Sequence, residues 1–129
     1  MNAKNDKGAK MRTILHITKR ESWNQAQKTG EYTAPSLDKQ GFIHCSTEEQ
    51  VVPVANCIFR GQRGLVLLCI DEARLTASVK YENLEGGQRL FPHVYGTVNL
   101  DAVIKVVEFP PLADGTFALP PGLAEAGAG

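Results

Sequence analysis

Two short stretches of this chain share a pattern that could do chemistry. Residues 16–21 read His16-Ile17-Thr18-Lys19-Arg20-Glu21, and residues 44–49 read His44-Cys45-Ser46-Thr47-Glu48-Glu49, so each is His-x-(Ser/Thr)-x-x-Glu. An imidazole exchanges its proton near neutral pH and can act as acid, base or ligand partner. A hydroxyl followed three residues later by Glu is a capping box, which predicts Thr18 paired with Glu21 and Ser46 with Glu49 at two helix starts. If each His ends a strand, it shares a face with its hydroxyl, and Ile17 and Cys45 turn the other way into the core. A helix N-terminus favours anions through its free N–H groups and its dipole. Either stretch alone also reads as an ordinary structural cap. Two of them, using two of the three histidines, predict that His16 and His44 line one cleft.

The third histidine lies in Phe91-Pro92-His93-Val94-Tyr95-Gly96. Proline and glycine shape such a segment, which reads as a loop or broken strand that brings His93 and Tyr95 to the same cleft rim or plugs the sheet end. Glu82, just before the Gly86-Gly87 turn, is a candidate general base or ribose-binding carboxylate, or simply an exposed strand-end residue. Trp23 reads as core. A metal site is not expected: His16, His44 and His93 sit singly on separate elements, and no paired-cysteine or His-Glu-x-x-His spacing is present. Cys45 should face away from His44, which removes it as a nucleophile.

The elements that would position these groups follow from periodicity. Residues 13–18 (TILHIT) are β-branched and apolar and predict a strand. Residues 19–28 predict a helix stopped by Gly30. Residues 31–40 read as a loop, 41–45 as a short strand, and 47–60 as a helix that kinks or restarts at Pro53. Residues 64–71 (GLVLLCID) are apolar throughout and predict a central strand covered on both faces. Residues 78–82 and 102–109 predict further strands, and 116–119 a last short one. The expected architecture is α+β, with a largely antiparallel sheet and two helices in the N-terminal half.

Length and composition set the frame. The chain has 129 residues and a mass of 14.0 kDa, with 43% hydrophobic and 22% charged residues, which describes one globular domain. We expect the domain at residues 11–119, between an arm (1–10) holding Lys4, Lys7 and Lys10 and a small-residue tail (120–129). Lys plus Arg and Asp plus Glu number 14 each, so the net charge is zero, which argues against a duplex-DNA binder. Cys45, Cys57 and Cys69 form no close pair and suit a reducing compartment. The polar start does not read as a signal peptide, and the longest apolar run is too short for a bilayer. The expectation is a cytoplasmic protein with no membrane partner.

At family level, the string ILHIT…W…G…Y…SL…GFIHCST…Q, followed by LVLLCID, KYE…G…FPHVYG and NLDAV, resembles a bacterial family of domains of unknown function, DUF952, over nearly the whole domain. More distantly, His16-x-Thr18, Trp23, Gly30 and Ile43-His44 resemble the RNA 2′-phosphotransferase branch of the ADP-ribosyltransferase superfamily, over about a third of the chain. That second resemblance implies a split antiparallel sheet clasping NAD. It implies His16 on the ribose hydroxyls, the Ile17 backbone on the nicotinamide amide, Thr18 supporting the strand end and His44 across the cleft. By the reading of the residues rather than by that motif, Ser46, His93 and Tyr95 complete the cofactor side, and Glu82 and Glu108 are candidates by strand position only for the catalytic carboxylate that the mono-ADP-ribosylating branch carries. Nicotinamide would be displaced through an oxocarbenium-like state that needs electrostatic stabilisation and positioning. Ile17 stands where that motif has Gly, Phe42 where it has His, and no arginine falls in a matching motif, so RNA phosphotransfer is not expected. The reading is an NAD-dependent ADP-ribosyl-type transferase. The alternatives are a non-catalytic module binding a nucleotide or small anion, or an interaction domain whose histidines are only structural.

Overall fold

The computed structural model of the protein describes residues 12–84, 86–121 and 123. The expected arm at 1–10, and most of the expected tail at 120–129, lie outside them. Eight strands and three α-helices are present among the described residues: β1 (Thr13–Lys19), α1 (Arg20–Thr29), β2 (Glu31–Tyr32), α2 (Pro35–Gln40), β3 (Ile43–His44), α3 (Val51–Ile58), β4 (Leu65–Asp71), β5 (Ser78–Glu82), β6 (Phe91–Tyr95), β7 (Val98–Asn99) and β8 (Val103–Glu108). Every strand pairing is antiparallel. The fold is mixed α+β, as expected.

The strands form three small sheets, ordered β1-β4-β8, β3-β6-β5 and β2-β7. The two three-stranded sheets meet at one point. Leu15 and Ser46 exchange both backbone hydrogen bonds at 2.8 Å, and the Cys45 N–H donates to the Pro92 carbonyl at 3.0 Å. The run 43–46 therefore leaves β6 and joins β1, and it links the two three-stranded sheets as half-sheets on either side of that seam.

Strand β4 is buried along its whole length, which is why its sequence is apolar without alternation. Its side chains nonetheless alternate between two cores. Val66, Leu68 and Ile70 join Ile14, Trp23, Tyr32, Ile43 and Val94 on one side. Leu65, Leu67 and Cys69 join Leu15, Val51, Ala55, Phe109 and Phe117 on the other. Burying each Leu contributes about 1.5–3 kcal/mol. Leu123, within the expected tail, is buried at 3% exposure in the second core, so packing extends past residue 119.

Several local expectations are corrected. Residues 35–40 form helix α2 rather than loop, giving three helices instead of two. Pro35 takes the first helical turn, where no N–H is needed, and Gly41 ends the helix in the left-handed conformation at φ 90°. Helix α3 begins at Val51, not residue 47. Pro53 then falls in the first turn, where its missing donor costs nothing, and neither kink nor restart is required. Neither capping box forms, because both helices start later than the pattern implies. The caps are Lys19 for α1 and Gln50 for α3, without side-chain cap bonds. In the second box the partner is displaced by one residue, and the Gln50 carboxamide oxygen accepts from the Thr47 N–H at 3.0 Å. Residues 91–95 are a paired strand rather than a broken one. No strand forms at 116–119.

Candidate functional site

The site grows from the alternation of three strands. Ile43 pairs with Val94 and His44 with His93, while Lys80 pairs with His93 and Glu82 with Phe91. Ile43, Val79, Tyr81 and Val94 face the first core. The intervening residues must point to the opposite face. That second face carries His44 from β3, Lys80 and Glu82 from β5, and Phe91, His93 and Tyr95 from β6, joined by Phe42 just before β3.

These side chains form one connected cluster. The Phe42 ring stacks on His93 with centroids 4.1 Å apart and planes 16° apart, and it meets His44 edge-on at 4.8 Å. The His44 and His93 rings stand at 77° with centroids 5.3 Å apart. His93 Nδ1 donates to Glu82 Oε2 at 2.9 Å, and the Tyr95 hydroxyl donates to the same oxygen. The Tyr95 bond and then the His93 bond hold the Glu82 carboxyl below its usual 4.5, and the carboxylate in turn raises the Tyr95 phenol. Glu82 is therefore an ionised, oriented carboxylate at neutral pH. His44, exposed, donates from Nε2 to the Gln40 carboxamide at 2.8 Å.

A cavity of about 810 Å³ opens over this cluster, at the seam of the half-sheets. Val54 and Ile58 of α3 and Phe59 just beyond it form its apolar side, together with Leu84. Ile58 and Leu84 stand 66% and 60% exposed at its rim. Glu82 is the one acidic or basic lining side chain, apart from histidine, and neither Lys nor Arg is among the described lining residues.

Of the residues singled out from the sequence, His16, Ile17, His44, Cys45, Ser46, Glu82 and His93 line this cavity. Tyr95 is not among the lining residues but touches two of them, bonding to Glu82 and packing against the Phe42 ring with centroids 5.3 Å apart, and Thr18 is not among them. His16 and His44 are brought together, but by one ring and one backbone. His16 is buried, its Nδ1 2.6 Å from the His44 carbonyl and its Nε2 2.7 Å from the Tyr32 hydroxyl, which lies 2.9 Å from Thr18 Oγ1. A carbonyl only accepts, so Nδ1 carries the proton and the neutral ring accepts at Nε2 from Tyr32. Thr18 then donates to the tyrosine oxygen. Burial holds the His16 pKa down at about 4 and raises the Tyr32 phenol to about 12. Both His16 nitrogens are thus engaged inside the protein.

Ile17 packs against the second core. Ser46 is buried in the seam. Cys45 is buried in the first core while also touching the cavity, and burial pushes its thiol up to about 12. Glu108 pairs with Arg20 on β8 and lies outside the cavity lining. Phe42, Gln40 and Tyr32 were not anticipated. The Phe42-x-His44 and His93-x-Tyr95 spacings held the signal for the first, because alternating residues of one strand share a face. Among the described residues no group of three His, Cys, Asp or Glu side chains has a metal-binding arrangement, and no helix is long and apolar enough to cross a membrane.

The fold and site define an α+β protein with antiparallel sheets and an imidazole–carboxylate cavity. Residues 17–106 match the family described as a protein of unknown function, DUF952, and the chain belongs to that family. Two crystal structures of protein CC0527 from Caulobacter crescentus, one of them a double mutant, align with TM-score 0.77 at 34% and 33% identity, covering 87% of this chain and 98% of that one. The solution structure of the same protein aligns with TM-score 0.72 at 33% identity, covering 88% and 95%. No curated protein matches this chain.

Proposed function

We propose that the protein uses NAD as a substrate in an ADP-ribosyl-type transfer, with the nicotinamide end in the cavity at the sheet seam. One observation carries this reading: an ionised Glu82, fixed by His93 and Tyr95, shares a pocket with the rings of Phe42, His44 and Phe91. A positively charged aromatic ring suits such a site, because ring faces attract cations and the carboxylate supplies the opposite charge. The same carboxylate faces the ribosyl carbon, which gains positive charge as the nicotinamide leaves, and a preorganised charge lowers that barrier most. The distant resemblance of His16-x-Thr18, Trp23, Gly30 and Ile43-His44 to the ADP-ribosyltransferase superfamily adds support to the same reading.

The lining also decides the ligand's orientation. With no Lys or Arg among the described lining residues, the diphosphate lies outside the pocket. The volume suits a nucleotide-sized or smaller ligand. The His16 ring is spent on internal bonds, so its part here is to hold the His44 backbone rather than the ribose. A small-anion module draws less support from the same lining, where Glu82 would repel the ligand.

The test is direct. Millimolar NAD should raise the melting temperature, by the equivalent of about 2.7 kcal/mol at one hundred times Kd, and free nicotinamide should accumulate on incubation. Glu82→Gln should abolish the release. A wild-type protein showing neither the shift nor the release ends the proposal, and a shift without release leaves a binding module.

A further inference from the structure

The cavity holds a second feature that the carboxylate alone does not explain. His93 is only 5% exposed and lines the cavity. Its Nδ1 is fixed on Glu82, and among the described residues no hydrogen bond reaches its Nε2. A buried imidazole nitrogen without a partner is costly unless something else uses it. The groups around it are aromatic or paired. Phe42 covers one ring face, His44 of β3 stands edge-on at 5.3 Å, and Tyr95 of β6 is bonded to Glu82. Across on β5, Lys80 lies over the Tyr95 ring, 4.8 Å from its centroid.

We propose that His93 is the general base of the transfer, with Glu82 as its orienting partner. This rests on the NAD reading above. An imidazole whose Nδ1–H is held by a carboxylate is locked as the tautomer with a basic Nε2, and the carboxylate stabilises the imidazolium that forms. The nucleophile is water or the hydroxyl of an uncharged acceptor, since no Lys or Arg stands among the described lining residues to offset the charge of an anionic one. As its oxygen bonds to the ribosyl C1′, its proton passes to His93 Nε2. The C1′–nitrogen bond breaks, and its electron pair goes to the nicotinamide ring nitrogen, which becomes neutral. The imidazolium then returns the proton to solvent.

Three measurements test this. Nitrogen-15 NMR of the imidazoles in the wild-type protein at pH 7.5 should show His93 as the Nδ1–H tautomer, and the Nε2–H tautomer overturns the assignment. His93→Gln should lower nicotinamide release about 100- to 10,000-fold and lose the acidic limb of the pH–rate profile, with the NAD-induced melting shift retained. His93→Ala should regain rate with added imidazole. An unchanged rate and acidic limb in His93→Gln overturn the base and leave the NAD reading standing. Absence of both shift and release in the wild type overturns the NAD reading and the base together.

Discussion

Acid should destabilise this protein through one buried ring, and the size of the effect follows from the structure. His16 sits at 8% exposure with both nitrogens bonded, and burial lowers its pKa from 6.5 to about 4. Between those values the unfolded chain takes up a proton that the folded chain refuses. The contribution is therefore whole above about pH 6.5 and is lost as pH falls to about 4. Proton linkage makes that loss about 3 kcal/mol, or roughly 10 °C in melting temperature for a domain of this size. Glu82 and Asp114, whose pKa values are lowered from 4.5 and 3.8, lose their contributions below those values and so mostly outside this window. The comparison is His16→Asn, which does not titrate but can still donate to the His44 carbonyl. Urea unfolding at pH 7.0, 6.0, 5.0 and 4.5 should give a wild-type stability that falls more steeply than the variant's, with a difference of about 2 kcal/mol accumulated by pH 4.5. Parallel slopes would refute the buried, neutral His16.

Further outcomes follow from other parts of the molecule. Tyr32→Phe removes the hydroxyl between His16 and Thr18 and should cost about 1–3 kcal/mol in urea unfolding. Leu68→Ala on the fully buried β4 should cost about 2–5 kcal/mol by the same assay. A thiol reagent should modify exposed Cys57 quickly in the native protein, while buried Cys45 and Cys69, raised to about 12 and 11, react only on unfolding. Gly96→Ala would place a Cβ 2.8 Å from the Ala77 Cβ and should lower the melting temperature, an overpacking cost of about 1–3 kcal/mol.

The parts of the fold written in local pattern were legible in the sequence. The unbroken apolar run of β4 specifies a central strand, and the β-branched run of residues 13–18 specifies its neighbour. The misreadings arise where two rules compete. Around Pro35, turn-forming residues mask a helix that is marked by Pro at its start and Gly41 at its end. Around Ser46, the capping pattern lies over a segment whose backbone is committed to the Leu15 seam, so the helix waits until Val51. The site was half legible. His44, His93 and Glu82 were singled out, and long-range pairing set them together. Pairing also gave His16 a different part: Tyr32, sixteen residues away, occupies the nitrogen that local sequence leaves open, and no spacing along the chain reports that partner.

The run from Phe42 to Ser46 assigns consecutive residues to different duties: a ring on the cavity, a core side chain, an imidazole on the cavity, another core side chain, and the tie to β1. A strand that alternates so strictly has no spare position. Inserting or deleting a single residue there would exchange every inward and outward group at once, driving His44 into hydrocarbon and Ile43 into solvent. Length variation in the protein must therefore fall elsewhere, as in the turn between β5 and β6, and this five-residue stretch should tolerate substitution at its outward positions but no change of frame.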